Sequence, residues 1–155
     1  MSKIAPFLWF ERDASAIADF YVSVFKDSTI TSKSIMGDTP SGSVEIVTLV
    51  LMGQPLTIMS AGPQYTLTEA FSLVITCEDQ DEVDYYWDAL TADGGEPGAC
   101  GWLKDKYGMS WQVVPKQLGI LMGDANQQKA GAATQAMLTM KKLVIADLEK
   151  AFNEA

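Results

Sequence analysis

Histidine is missing from the 155 residues altogether, so the commonest catalytic base near neutral pH and the commonest metal-binding nitrogen are both unavailable. Basic residues are few. Eleven Lys and Arg stand against twenty Asp and Glu, a net charge of −9 whose field repels phosphate backbones and anionic lipid headgroups. Nucleic acid and membrane surface are therefore not expected as partners. No apolar run approaches the roughly 18 residues of a membrane span, and the start Met1-Ser2-Lys3-Ile4-Ala5-Pro6-Phe7 has neither the basic stretch nor the apolar run of a signal peptide. A cytoplasmic protein is expected. Cysteine is limited to Cys77 and Cys100, without zinc-type or redox-type spacing, and two thiols in a reducing compartment are expected to stay reduced. No phosphate-cradling loop is present either: Gly94-Gly95 lacks a downstream Gly-Lys pair, and Gly37 to Gly42 falls between extended segments.

What is there is a globular composition, 48% hydrophobic, at a length that suits one domain or two fused half-domains. The chain reads as a repeat. Ile4 to Phe10 is extended and almost wholly apolar, which suits a strand buried on both faces, and Pro6 marks an edge or a strand start. Asp13 is the expected N-cap of a helix whose stripe is Ile17, Phe20, Tyr21 and Val24 and which ends near Phe25 and Lys26. Extended segments follow at Ser28 to Met36, Ser43 to Met52 and Gln54 to Ser60, separated by Gly37 to Gly42 and by Gly53. The pattern restarts with a strand at Ala70 to Cys77. A shift of 66 residues carries Asp13 onto Asp79, and the stripe onto Val83, Tyr86, Trp87 and Leu90. Asp93-Gly94-Gly95 stops this second helix, and Glu96 to Cys100, Trp102 to Asp105 and Met109 to Val114 supply three more extended pieces. The fold class expected is α+β: two βαβββ modules, 1–62 and 68–115, within a single domain spanning 1–155. Each module alone leaves an apolar sheet face exposed, so the two are expected to close on one another; chance similarity of unrelated halves is the alternative. From 116 to 155 the sequence turns helical, with Leu118, Leu121 and Met122 in a short segment, an Ala-rich run from Ala130 to Met140, and a last helix with Leu143, Val144, Leu148, Ala151 and Phe152 on its apolar side. This tail is expected to cover the sheets or a neighbouring subunit.

The candidate functional residues centre on the segment from Cys100 to Pro115, which reads as strand, tight turn, strand. Its period of two places Gln112 on the face opposite Trp111. Gln112, Ser72 and Ser110 either orient a ligand carbonyl or hydroxyl or satisfy one another within a modest polar core. Together with Leu8, Phe10, Met59 and Val74 they fit the usual pocket, apolar with a few convergent polar groups. Trp102, after Gly101, is placed to cap a cavity mouth, whereas Trp9, Trp87 and Trp111 are expected in the core. Cys100 lacks a histidine to activate it and is read as a small packing residue. The acidic run Glu78-Asp79-Gln80-Asp81-Glu82 sits at a helix start, where the macrodipole favours negative charge, and is read as capping.

The run Cys100-Gly101-Trp102-Leu103-Lys104-Asp105, with Gly108 and Trp111-Gln112-Val113-Val114-Pro115, resembles the PhnB-like branch of the glyoxalase, bleomycin-resistance and extradiol dioxygenase superfamily, the vicinal oxygen chelate fold. Pro6-Phe7-Leu8-Trp9-Phe10, Phe20-Tyr21 with Phe25, Gly62-Pro63, Glu69-Ala70-Phe71-Ser72, Glu82-Val83-Asp84 with Trp87, and Met140-Lys141-Lys142 agree with it in order. The resemblance implies two βαβββ modules forming a curved mixed sheet around a cavity, commonly in a homodimer. Active glyoxalases hold a metal through a histidine or glutamine, a further histidine and a glutamate. The positions here that match best are Pro6, Ser72 or Phe71, and Gln112, a set without charged or nitrogen ligands. No metal and no cofactor are therefore expected. The implied function is metal-independent binding of a small apolar or aromatic ligand in the cavity between the modules. The alternative is a small-metabolite enzyme, either of glyoxalase or dioxygenase type or a demethylubiquinone methyltransferase, the label that proteins of this branch carry by similarity. Against the latter, the chain has neither the glycine-rich strand-to-helix turn nor the acidic residue ending the next strand that sulfonium cofactor sites generally use.

Overall fold

A computed structural model describes residues 2–155. Over the described residues the fold is α+β, built from two four-stranded mixed sheets and five α-helices. The chain divides into two compact units, 1–67 and 68–155.

The first unit contains β1 (Phe7–Phe10), α1 (Ala14–Val24), β2 (Ser28–Thr39), β3 (Gly42–Leu51) and β4 (Gln54–Ser60). Its sheet order is β1-β4-β3-β2, with β1 parallel to β4 and the other pairs antiparallel. Register fixes the faces. Leu8 lies opposite Ile58, Ile58 opposite Val47, and Leu56 opposite Leu49; all are buried, as are Ile17, Ala18, Tyr21 and Val24 of α1. These residues form the core of the unit. The other face carries Phe7, Trp9, Thr57 and Met59, and Phe7 is 58% exposed. The apolar run at β1 is therefore buried on one face, not on both. Pro6 does precede an edge strand, and its carbonyl accepts from the Thr57 N–H.

Two local expectations change. Asp13 occupies the N-cap position of α1 with φ 67 and ψ 37 and makes no side-chain cap. Glu45, from β3, instead reaches across to the first turn, accepting from the Ser15 N–H and Oγ, both at 2.8 Å. The segment Gly37 to Gly42 is not a separate loop. β2 runs on to Thr39, and Thr39 pairs with Gly42 around a tight turn in which Thr39 Oγ1 donates to the Gly42 carbonyl.

The second unit repeats the order with β5 (Leu73–Cys77), α2 (Gln80–Thr91), β6 (Glu96–Pro97), β7 (Trp102–Lys104) and β8 (Ser110–Pro115). The sheet is β5-β8-β7-β6, again with one parallel pair, β5 and β8, at an edge. Here the expected cap forms: Asp79 Oδ1 accepts from the Glu82 N–H at 2.9 Å, and Glu82 accepts in turn from the Glu78 N–H at 2.7 Å. Val83, Tyr86, Trp87 and Leu90 of α2 are buried, with Ile75, Cys77, Leu103, Trp111 and Val113 of the sheet.

The helical tail comprises α3 (Lys116–Met122), α4 (Gln127–Leu138) and α5 (Ile145–Asn153). Leu118, Leu143 and Leu148 form its small core, against which Val114, Leu121 and Met140 pack. It is latched to the second unit by backbone. The N–H groups of Cys100 and Gly101 donate to the carbonyls of Met140 and Lys141, both at 2.8 Å. Gln80 of α2 donates to the Leu143 carbonyl and accepts from the Ile145 N–H.

Candidate functional site on the second sheet

β8 sets the site. Trp111 and Val113 point toward α2 and are buried, whereas Gln112 and Val114, on the opposite face, are half-buried. Register places Gln112 between Val74 of β5 and Trp102 of β7. Its amide Nε2 donates to Ser72 Oγ at 3.0 Å, so the two polar candidates partner one another while Val74 beside them is 56% exposed. The next row on this face is Ser110 of β8, Lys104 of β7 and Glu96 of β6. Lys104 forms an ion pair with Glu69, from the segment before β5. That pairing holds Glu69 below the usual carboxylate range and, helped by Glu96, raises the Lys104 ammonium above its ordinary value. A depression of about 170 Å³ opens between Glu69, Glu96, Gly98, Trp102, Lys104 and Ser110.

Val74, Trp102, Ser110 and Gln112 thus share one face of the second sheet, and Ser72, just before β5, is bonded to Gln112. Leu8 and Phe10 do not belong with Met59. They are 3% and 5% exposed on the buried face of the first sheet, and the residues of β1 that share Met59's face are Phe7 and Trp9. Trp9 is held there by its indole N–H donating to the Gly62 carbonyl at 2.9 Å and by an edge contact with Tyr65, ring centroids 5.0 Å apart. Trp87 and Trp111 are core residues, as their spacing predicts.

Two positions in the same segment have structural duties. Asp105 is 3% exposed; Oδ1 accepts from the Tyr107 and Met109 N–H groups and Oδ2 from the Trp111 indole at 2.9 Å. Sequence reasoning gave it no role. Gly101, at φ 85, leaves no room for a side chain, since a Cβ would meet the Val113 carbonyl oxygen at 2.8 Å. Cys100 is half-buried, and Cys77 is buried with its thiol pushed up to about 12 by desolvation and by Glu82 and Asp79.

The positions that best match the metal ligands of active glyoxalases are Pro6, Ser72 or Phe71, and Gln112. Pro6 presents only a carbonyl, already engaged, and Ser72 is occupied by Gln112. Among the described residues no three His, Cys, Asp or Glu side chains gather where they could hold an ion, and no helix is long and apolar enough to cross a membrane.

Two βαβββ units with a parallel pair at the edge of each sheet define the class: the glyoxalase, or vicinal oxygen chelate, fold. Residues 2–114 match the family model described as 3-demethylubiquinone-9 3-methyltransferase. The chain belongs to that family, as a PhnB-like member of the glyoxalase superfamily. A solved structure from Bacillus cereus, described as a putative 3-demethylubiquinone-9 3-methyltransferase, PhnB protein, is 32% identical; the match covers 74% of this chain and 99% of that one, with a TM-score of 0.66. The fosfomycin resistance protein FosX of Listeria monocytogenes, solved with Mn(II) and sulfate, shares the fold at 17% identity, over 72% of this chain and 89% of its own, TM-score 0.54. A glyoxalase family protein from Bacillus cereus does so at 14% identity, over 74% and 97%, TM-score 0.51. No curated protein matches the chain.

Proposed function

We propose that this PhnB-like protein binds a small, apolar or aromatic molecule on the face of the second sheet that carries Val74, Trp102 and Gln112, without a metal or other cofactor, and that it works as a homodimer. The observation that carries the reading is the Gln112 to Ser72 hydrogen bond at 3.0 Å standing beside a 56% exposed Val74. A small polar pair amid accessible apolar surface is what an oriented organic ligand requires. The net charge of −9 argues in the same direction, against nucleic acid and anionic membranes.

Metal independence rests on donor chemistry. A neutral amide and a hydroxyl that already bond to each other are poor ligands for a divalent ion compared with imidazole and carboxylate, whatever FosX does with Mn(II). Enzyme chemistry on a small metabolite is the second reading, favoured by the family description itself. A methyltransferase would need a sulfonium cofactor site, yet the turns entering α1 and α2 are Glu11-Arg12-Asp13 and Glu78-Asp79, not glycine-rich.

The test is Gln112→Leu in protein purified without added metal, followed by ligand titration and elemental analysis. The variant is expected to keep its fold and lose about fivefold or more in affinity for a carbonyl- or hydroxyl-bearing ligand, the effect of one buried hydrogen bond. Unchanged affinity in a folded variant, or one equivalent of zinc, nickel, iron or manganese in the wild type, would sink the reading.

A further inference from the structure

Ser110 is 1% exposed, and its Oγ has no hydrogen-bond partner among the described residues. A buried hydroxyl left unpaired is costly unless something outside the chain completes it. It lines the depression beside Trp102, whose other polar groups are one cation and two carboxylates. Lys104 is already engaged by Glu69, and Glu96 stands directly across the β6 to β7 ladder from it. One positive charge therefore serves two negative ones, and the surplus is negative. Gly98 allows the close approach that shapes this wall: its N–H donates to the Trp102 carbonyl at 2.8 Å, and a Cβ there would meet the same oxygen at 2.7 Å.

We propose that the depression framed by Ser110, Trp102, Glu69, Lys104 and Glu96 is a subsite for a protonated amine on the ligand, with Ser110 Oγ accepting its N–H, Glu96 supplying the counter-charge and the Trp102 ring its apolar wall. This rests on the reading that the same sheet face binds a small organic molecule, and it adds the charge class of that molecule. A carboxylate or phosphate-bearing ligand is disfavoured because it would have to displace Glu69 from Lys104 and still meet Glu96. The Trp102 indole adds attraction for a cation lying over its ring. All the charged groups are near solvent, so the preference is modest and shrinks as salt rises.

Three probes that share a phenyl ring separate these effects: 2-phenylethylammonium, 2-phenylethanol and 3-phenylpropanoate, titrated at low salt and followed by NMR at the Trp102 indole and Gln112 amide. The amine is expected to bind about fivefold more tightly than the alcohol, and the carboxylate weakest. Glu96→Gln should cut the advantage of the amine to the part the Trp102 ring supplies, about twofold or less, and leave the alcohol unchanged. Glu69→Gln, which frees Lys104, should improve the carboxylate. Ser110→Ala should weaken amine and alcohol alike by about three- to fivefold. Equal binding of carboxylate and amine, or a preference undiminished by Glu96→Gln, or affinities untouched by Ser110→Ala, overturns the amine subsite while leaving the ligand-binding face intact. If no probe moves either resonance, the binding face itself is wrong and the subsite falls with it.

Discussion

Asp105 holds together the turn that brings β7 back as β8. Its carboxylate gathers the Tyr107 and Met109 N–H groups on Oδ1 and the Trp111 indole on Oδ2, almost out of solvent, and the Gly108 N–H closes the loop onto the Asp105 carbonyl at 2.9 Å. Each bond to a charged acceptor contributes about 1.5 kcal/mol or more, and donors left buried without a partner cost further. Asp105→Ala is expected to destabilise the protein by about 3 kcal/mol or more. Asp105→Asn should lose about 1.5 to 2.5 kcal/mol, because one oxygen becomes a donor facing donors. Urea unfolding read by tryptophan fluorescence measures both, and losses under about 0.5 kcal/mol would show that the turn closes without the carboxylate. This role was not legible in the sequence, since an aspartate before Lys106-Tyr107-Gly108 looks like any solvated turn residue until the Trp111 indole is seen to return to it. The opposed faces of Trp111 and Gln112 were legible, because a strict period of two leaves no other outcome. Leu8 and Phe10 lie on the buried face, away from Met59, and the sequence does not show it for the converse reason: in Phe7-Leu8-Trp9-Phe10 every position is apolar, so alternation cannot say which parity meets the helix.

The two helices show how far an internal repeat can be trusted. The 66-residue offset carries the first residue of α1, Ala14, onto the first of α2, Gln80, and buried Ile17, Tyr21 and Val24 onto buried Val83, Trp87 and Leu90, whereas Phe20, unlike its counterpart Tyr86, is only half-buried. The capping does not repeat. Asp79 has an extended backbone and accepts from Glu82, whereas Asp13 is left-handed and makes no side-chain cap bond among the described residues. Asp79→Ala is accordingly expected to cost about 1 kcal/mol, while Asp13→Gly, which suits a positive φ, should stay within about 0.5 kcal/mol of wild type. Thermal unfolding of the pair checks this, and equal losses would mean that Asp13 caps in solution. The repeat predicts the elements because hydrophobic period and helix length are set locally. It misses the substitute cap because Glu45 comes from β3, thirty residues along the chain from Ser15. The tail follows the same rule. Its helices were readable from apolar spacing, but the Met140 and Lys141 carbonyls that receive the Cys100 and Gly101 N–H groups are ordinary backbone and leave no trace in residue type.

The fold leaves large apolar side chains uncovered along an open strand edge. β2 is an edge strand of 12 residues, with Ile35 71% and Met36 50% exposed. A long edge with unpaired backbone groups and large apolar side chains invites pairing unless another chain covers it. Lys33 is the only charged side chain along it before Asp38, and it is drawn toward Asp19 of α1. The net charge of −9 keeps copies apart at long range, but within a Debye length of about 8 Å at physiological salt the apolar contact dominates. The proposed homodimer is therefore expected to pair through β2. Native mass spectrometry and light scattering at micromolar concentration should find about twice the 16.8 kDa chain mass, and the Ile35→Asp, Met36→Asp double variant should shift the population to monomer with its circular dichroism unchanged. A wild-type monomer would defeat the homodimer proposal. A dimer indifferent to both substitutions would place the interface away from this edge, leaving β2 to be protected by its own twist and by the register shifts between Ile30 and Ser32 and between Met36 and Thr39.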